Sequence, residues 1–298
     1  MHGWLYRGHA NEGWGLTTSL ERTAKQYNCP EITLGEQEEE ILNQFKRQAH
    51  QHIASPPGRE ENVEWLSLIQ HHGGPTRLLD FTSSFYVGAF FAMEDAVGNA
   101  VVWAINRQHL DNHLMNLTDQ PELADHDPTV RTSAVRAAER CIRPSTPRAM
   151  QELGDALNAE RPQQWEPDPV IGAPNVLAVK PWRLNQRMII QQGWFLFPTS
   201  LDASFQHNLC GALGVPGQEL PAKTPKTNLT EIKELLSNPE SNLAILKMVF
   251  PRDVHLDAMR DLQRMNITAA TPFPGLDGFA RSLRFSLRIF DDLAEAER

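Results

Sequence analysis

Two amphipathic helices are predicted near the start of the chain by the spacing of apolar residues. Between Glu36 and His52, apolar residues recur every three or four positions among Glu, Gln, Lys and Arg, which places them on one helical face. Pro56-Pro57-Gly58 closes this segment, as expected of a helix stop. A second helix is predicted from Asn62 to His72, because Gly73-Gly74-Pro75 follows it and ends it.

Short apolar and aromatic runs predict strands in the same region. The predicted strands are Trp4–Tyr6, Thr76–Phe81 and Asn99–Ile105, the last of them nearly all apolar and therefore buried. Between the second and third strands, Phe85–Met93 predicts a very apolar helix, with Ser83 or Ser84 as its N-cap.

Residues 107–170 have a different character, with polar helical stretches interrupted by repeated prolines. This pattern predicts a mobile helical insertion outside the sheet. Strand character returns afterwards at Asn175–Lys180, Arg187–Phe197 (interrupted at Gly193) and Ala244–Phe250. Helices are predicted at 228–237, at Asp253–Met265 and after Pro274-Gly275. Because helices and strands do not alternate strictly, the predicted class is α+β, a mixed or antiparallel central sheet flanked by helices. We expect one domain over residues 1–298.

Composition and charge exclude several classes of protein. The chain has 298 residues, 41% of them hydrophobic, and a net charge of −9, so it should fold and shows no overall attraction to nucleic acid. Its three cysteines are widely spaced and predict neither disulfides nor a zinc site. His71 and His72 lack partners at metal-ligand spacing, so no metal is expected. No apolar run or leader pattern predicts a membrane span or export, and we expect a cytoplasmic protein.

Three separated stretches together resemble the FRG domain family, which is named for a Phe-Arg-Gly run. The stretches are Trp4–His9 with Tyr6-Arg7-Gly8, residues 70–82 with Ala89–Ala92, and residues 185–195. A weaker similarity lies at Phe273–Gly278. The departure from the family pattern is Tyr6 in the position of the Phe.

By analogy, the order of these stretches is similar to that of ADP-ribosyltransferases. Those enzymes place an Arg or His on a first strand, a Ser-Thr-Ser or Tyr motif before a helix, and a Glu or Gln on a later strand. The analogy implies an ADP-ribosyltransferase-like core with NAD as the substrate. It implies catalytic roles for Arg7, Gln192 and His72. It implies dinucleotide contacts from Tyr6, Arg7, Gly8, Thr82, Ser83, Tyr86 and Gln186.

The chemistry of these side chains fits a dinucleotide. Arg7 offers a bidentate cation for phosphate, Gly8 permits close approach of the backbone, Thr82 and Ser83 offer hydroxyls, and Tyr86 offers a stacking surface. Gln186, Gln191 and Gln192 are expected on one strand, where alternation lets at most two of them share a site.

The third stretch lacks the carboxylate that usually stabilises an oxocarbenium-like ribose. Asp80 or Glu94 would substitute only if the fold turns one of them inward. The prediction is therefore an ADP-ribosyltransferase-like enzyme, with a toxin or antiphage role by analogy. The sequence does not choose among a protein, a nucleic acid and water as the acceptor. The alternative is a non-enzymatic binding module that recognises a nucleic acid or a protein. A metal-dependent nuclease is disfavoured because acidic residues do not cluster.

The arginines of these stretches are also suited to structural ion pairs. Arg7 is also suited to an ion pair with Asp80, and Arg77 to a buried pair with the same residue. The sequence does not decide between these contacts.

Overall fold

A six-stranded, fully antiparallel sheet forms the centre of the computed structural model, which describes residues 3–29, 33–118, 128–142, 173–220, 226, 228, 230–231 and 243–284. The strands are β1 (Trp4–His9), β2 (Leu79–Thr82), β3 (Ala100–Asn106), β4 (Val176–Val179), β5 (Gly193–Pro198) and β6 (Ile245–Phe250). Their order across the sheet is β4-β5-β2-β1-β3-β6. The predicted α+β class with a central antiparallel sheet is confirmed.

The register places three distant segments of the chain side by side. β1 pairs with β3 from Trp4 opposite Asn106 to His9 opposite Val101, and on its other edge Tyr6 lies opposite Thr82 of β2. The next neighbour is β5, where Gly193 lies opposite Thr82. The N-terminal strand, the strand before the apolar helix and the strand after the glutamines are therefore adjacent.

Helices surround the sheet, and several of them begin at a side-chain cap. They are α1 (Ser19–Gln26), α2 (Leu34–Ala49), α3 (Asn62–His71), α4 (Phe85–Met93), α5 (Arg107–Thr118), α6 (Pro128–Cys141), α7 (Gln186–Ile190), α8 (Phe205–Ala212), α9 (His255–Arg264) and α10 (276–284), with a 3₁₀ turn at Arg252–Val254. Thr18 and Thr33 form capping boxes with Glu21 and Glu36, which satisfies the first amides of α1 and α2. No helix in the described ranges is both long and apolar enough to cross a bilayer.

Alternating residues of β1 serve the two faces of the sheet. Leu5 packs with Leu16 and Phe205 on one face, and Tyr6 packs with residues of α4 and α9 on the other. A third apolar cluster joins α2, α3 and α6 to β4 and β5, with Leu66 and Phe197 fully buried in it. The core therefore holds the centre of the sheet from both sides.

Most of the predicted elements are confirmed within one to three residues, including helix α4 with Ser84 as its N-cap. The strand predicted over Arg187–Phe197 is wrong in its first half. Asn185 caps a short helix there by accepting a hydrogen bond from the Met188 amide, and the strand begins only at Gly193. The strand prediction did not consider this N-cap, which favours a helix despite the β-forming residues of the run.

Other differences concern elements that were not predicted or lie outside the described residues. Helices α1 and α8 were not predicted, because both are only eight residues long and leave little periodicity to detect. Most of the helix predicted at 228–237 and all of 143–170 lie outside the described residues, while α5 and α6 show helices in the described parts of 107–170. The single-domain boundary stays a prediction.

Gly8 lets β1 lie directly against the backbone of α4. A Cβ built on Gly8 would come within 2.1 Å of the Gly88 carbonyl oxygen and 2.4 Å of the Ala92 amide nitrogen. Both atoms belong to a helix backbone, so neither can move without shifting α4. The close contact explains the glycine without any ligand.

We expect Gly8→Ala to lower the free energy of unfolding by about 1–3 kcal/mol, the usual range for overpacking. Urea unfolding followed by circular dichroism would measure this difference. Gly98→Ala is the matched control, because a Cβ on Gly98 meets no atom within 4 Å. Equal stability of both variants would contradict the close contact.

Candidate cleft between β1, α3 and the turn before β5

An open cleft of about 840 Å³ lies where β1, β2 and the end of α3 face α7 and α10. Four arginines line it, and they are Arg7, Arg22, Arg187 and Arg281. Three carboxylates also line it, those of Asp80, Glu94 and Asp95. The wall therefore carries one more positive than negative formal charge, although the whole chain carries −9.

Arg7 lies in the wall of this cleft, with 18% of its side chain exposed. Its Nε donates a hydrogen bond to His9 Nε2 at 2.9 Å, and one terminal nitrogen donates to the Asp80 carbonyl oxygen at 2.7 Å. The same nitrogen lies 3.9 Å from the Asp80 carboxylate. Burial lowers the pKa of Arg7, and the Asp80 charge opposes this shift. The expected Arg7–Asp80 pair therefore exists, mainly through the backbone oxygen.

His9 is the residue that orients Arg7. Burial lowers the pKa of His9 to about 4, and the Arg7 charge adds to the shift, so the imidazole is neutral near pH 7. Arginine can only donate, so Nε2 must accept from Arg7 and Nδ1 must carry the proton. That Nδ1 lies 3.4 Å from the Trp14 carbonyl oxygen, at the long limit for a donated bond.

Asp80 presents a carboxylate to the cleft with 58% of its side chain exposed. Gln70 Nε2 donates to Asp80 Oδ2 at 2.9 Å, which fixes one oxygen. The Asp80 charge also raises the pKa of Arg187 against the lowering by burial. One carboxylate is thus close enough to act on both Arg7 and Arg187.

Arg187 and Arg281 both stack on the ring of Phe273, each with its guanidinium carbon 4.6 Å from the ring centre. Arg281 is neutralised by the end of α4, because it makes two bonds to the Glu94 carboxylate at 2.5 and 2.7 Å and one to Asp95 at 3.0 Å. The segment that carries Phe273 and Arg281 therefore contacts the cleft through ion pairs of Arg281 and through stacking of Arg187 on the Phe273 ring.

The turn before β5 closes the cleft on the side of β2. Thr82 Oγ1 donates to the Gln191 carbonyl oxygen at 2.6 Å, and Gln191 Nε2 donates to the Pro272 carbonyl oxygen at 2.8 Å. Gln192 has a φ of 51°, and its side-chain oxygen accepts from Ser83 Oγ at 3.1 Å. These bonds join the second and third resembling stretches.

Only some of the predicted site residues line the cleft. Tyr6, Arg7, Gly8 and Thr82 line it. Ser83 and Gln192 contact each other beside it, while Tyr86, Gln186 and His72 are not among its lining residues. His72 borders a separate apolar groove between α2 and α3. The catalytic and binding roles assigned from the sequence stay predictions.

The expectation that the three glutamines share one strand is wrong. Gln186 opens helix α7, and Gln191 and Gln192 form the turn that follows it. Asp80 and Glu94, the two carboxylates considered as substitutes for the absent Glu, both line the cleft.

Several residues of the cleft were missed by the sequence reading. His9 was detectable, because it shares a strand face with Arg7 two positions away. Arg187, and Phe273 on which it stacks, were quoted only as parts of resembling stretches, and Arg281 gave no local signal. Within the described ranges, no three His, Cys, Asp or Glu side chains gather as ligands of a metal would.

The fold and the cleft together define an α+β protein with an antiparallel sheet and an arginine-lined cleft. Residues 2–100 match the model of the FRG domain, so this segment of the chain is similar to that family. Comparisons with curated proteins and with solved structures find no match. The matched segment includes Arg7, Asp80 and Thr82, whereas Arg187, Phe273 and Arg281 lie beyond it.

Proposed function

We propose that the cleft binds a dinucleotide of the NAD type and that the chain is an ADP-ribosyltransferase-like protein. The observation that carries this proposal is the charge of the cleft wall. Arg281 is already paired with Glu94 and Asp95, so Arg7, Arg22 and Arg187 face the single carboxylate of Asp80. A local positive excess in a chain of net charge −9 favours an anionic ligand.

The size and walls of the cleft support a nucleotide. Its volume of about 840 Å³ falls in the range of about 300–1,000 Å³ that is typical of small-molecule sites. Trp14 and Phe91 add aromatic surface to the arginine-rich wall, and aromatic faces stack well on nucleobases and nicotinamide. Phosphates would pair with the guanidinium groups.

The strand order supports the transferase-like arrangement. Arg7 on β1, Thr82 at the end of β2 and the glutamine turn entering β5 come from neighbouring strands. Their order along the chain is the one that the analogy with ADP-ribosyltransferases requires. In this proposal Thr82 acts through the turn, because its hydroxyl is bonded to the Gln191 carbonyl oxygen.

The third stretch lacks the usual catalytic carboxylate, and in this proposal the Asp80 carboxylate takes its role. Cleavage of the nicotinamide–ribose bond leaves its electron pair on nicotinamide and positive charge on the ribose, and a nearby carboxylate stabilises that charge. The acceptor nucleophile then bonds to the ribose carbon and loses its proton. Asp80 suits this role because its carboxylate faces the cleft and is held by Gln70.

A second candidate is a nucleotide-binding module without turnover. It is favoured by the turn before β5, where Gln191 and Gln192 offer no carboxylate and the Gln191 amide is already bonded to Pro272. In that case the same cleft would sense the dinucleotide and leave it intact.

Calorimetry with NAD tests binding by the cleft. We expect Arg7→Ala to weaken NAD binding about 10- to 100-fold, because a charged hydrogen bond is worth about 1.5–3 kcal/mol. Arg264→Ala is the matched control, since Arg264 is 78% exposed on α9 and pairs only locally with Asp261. Circular dichroism verifies that both variants are folded. Binding of NAD that is unchanged by Arg7→Ala would remove Arg7 from the site.

Release of nicotinamide separates the two candidates. We expect the wild-type chain to release nicotinamide from NAD, and Asp80→Asn to release it about 100- to 1,000-fold more slowly while still binding NAD, as when one preorganised electrostatic contact is lost. Chromatography of the reaction mixture measures the product. Tight binding without release would favour the binding module. The labelled acceptor fraction, protein or nucleic acid, would identify the acceptor class.

A further inference from the structure

We propose that Arg187 is the phosphate-binding residue on the wall of the cleft opposite β1, and that the ring of Phe273 positions it for a pyrophosphate. This inference deepens the proposed function and rests on it for the identity of the nucleotide. It assigns a ligand contact to a residue outside the segment that matches the FRG domain.

The Arg187 guanidinium has hydrogen-bond donors that are unused within the described part of the chain. Arg187 is half-buried in the cleft, and it contacts the Phe273 face at 4.6 Å. It makes no side-chain hydrogen bond or ion pair with any residue that the structure describes. A guanidinium carries five N–H donors in a rigid fork, and a ring face satisfies none of them. The donors are therefore available to a ligand.

Arg187 differs from Arg281, which stacks on the same ring, in its ion pairing. Both guanidiniums approach Phe273 at 4.6 Å, yet only Arg281 is compensated, by Glu94 and Asp95. Burial lowers the pKa of Arg187, and Asp80 is the group that opposes this shift. Of the two cations that share this ring, Arg187 is the one without an ion pair to any described residue.

Phe273 is held in position by close contacts with its neighbours. A Cβ on Gly278 would come within 1.7 Å of the Phe273 carbonyl oxygen, so α10 lies directly on this residue. Phe91 meets the Phe273 ring edge-on at 5.7 Å, and the Gln191 amide is bonded to the neighbouring Pro272. A fixed ring orients the guanidinium before the ligand arrives, which reduces the entropy lost on binding.

The ligand class follows from the two arginines, Arg7 and Arg187, that line one cleft together with Asp80. Arg7, Asp80 and Arg187 all line this cleft, and the Asp80 charge opposes the lowering of the pKa of both arginines. Two arginine forks on one cleft suit a ligand with two adjacent anionic groups, and planar bidentate pairing with phosphate oxygens is the contact that arginine makes best. A pyrophosphate has this form.

Calorimetry with inorganic pyrophosphate, ADP-ribose and adenosine tests the assignment. We expect Arg187→Gln to weaken pyrophosphate and ADP-ribose binding about 10- to 100-fold and to leave any adenosine binding unchanged. Arg187→Lys, which keeps the charge and loses the fork, should fall between wild type and Arg187→Gln. Arg264→Gln removes the same charge from an exposed site on α9 and should bind like wild type. Thermal unfolding confirms that the variants are folded.

Phe273→Leu tests the positioning role through a double-mutant cycle. We expect it to weaken pyrophosphate binding in the wild-type background and to have little further effect in Arg187→Gln. A general loosening of the fold would instead weaken both backgrounds equally, and that result would overturn the role of Phe273.

The outcomes separate this inference from the proposed function. If the chain binds pyrophosphate through Arg187 but binds neither NAD nor ADP-ribose, the phosphate site stands and the dinucleotide proposal fails. If NAD binds as well to Arg187→Gln as to wild type, the assignment of Arg187 is wrong and the dinucleotide proposal stands. Absence of binding by pyrophosphate, ADP-ribose and NAD to the wild-type chain would overturn both.

Discussion

Arg77→Met is expected to lower the free energy of unfolding by about 3–5 kcal/mol, the range for breaking a buried ion pair. Arg77 and Glu38 are only 5% and 2% exposed, and an Arg77 terminal nitrogen lies 2.5 Å from Glu38 Oε2. Arg77 Nε also donates to that oxygen at 2.6 Å. The substitution leaves the Glu38 carboxylate buried without its cation, and this desolvated charge is the main cost.

Urea unfolding would measure this loss, with two comparisons. Arg183→Met is the surface control, because Arg183 is 52% exposed and lies 3.9 Å from Glu61, so we expect a change below about 1 kcal/mol. Joint replacement of Arg77 and Glu38 by Met and Leu should recover much of the stability, since removing both charges avoids the unpaired carboxylate. A loss below about 1 kcal/mol in Arg77→Met would contradict the account.

The prediction that Arg77 pairs with Asp80 is wrong, because its partner is Glu38. Asp80 points to the cleft and bonds to Gln70, whereas Arg77 points into the core and lies 4.9 Å from the Phe197 ring centre. Glu38 lies 39 positions away on α2. The pair joins α2 to the segment before β2, so its loss should destabilise the sheet that carries Arg7.

Acidification is expected to destabilise the protein through His9. The pKa of His9 is lowered from 6.5 to about 4 in the folded state, so between these values the unfolded chain binds more protons than the folded one. The stability contributed by His9 is therefore present above pH 6.5 and is lost as the pH falls toward 4. The full effect is about 3 kcal/mol, of which about 2 kcal/mol is lost by pH 5.

Comparison with His9→Gln isolates this contribution, because other groups titrate equally in both proteins. The glutamine side-chain oxygen can still accept from Arg7 but does not titrate. The difference in unfolding free energy between wild type and His9→Gln should shift by about 2 kcal/mol between pH 7 and pH 5. His52→Gln, at an exposed position, should follow the wild-type pH profile. Parallel profiles for wild type and His9→Gln would show that His9 titrates normally.

The parts of the site on β1, β2 and α4 were predictable because their signals are local. The strand predicted at Trp4–Tyr6 forms and extends through Arg7 and Gly8 to His9, and the apolar run Phe85–Met93 is a helix capped by Ser84, one of the two serines predicted for that role. Strand propensity, helical length and a serine cap act within a few residues. The same local signals misplaced Gln186 and Arg187, because a five-residue helix leaves too little periodicity to detect.

The amino-acid sequence alone determined the α+β class, the main strands and helices, and the resemblance of three stretches to the FRG domain. Only the tertiary structure decided which distant side chains meet: Arg77 with Glu38, Arg281 with Glu94, and Arg187 with Phe273. Local propensities depend on neighbours a few positions away, whereas these contacts depend on strand order and on how closely the helices pack. Side chains far apart along the chain, such as Arg187 and Phe273, which are separated by 86 positions, become neighbours only when the chain folds.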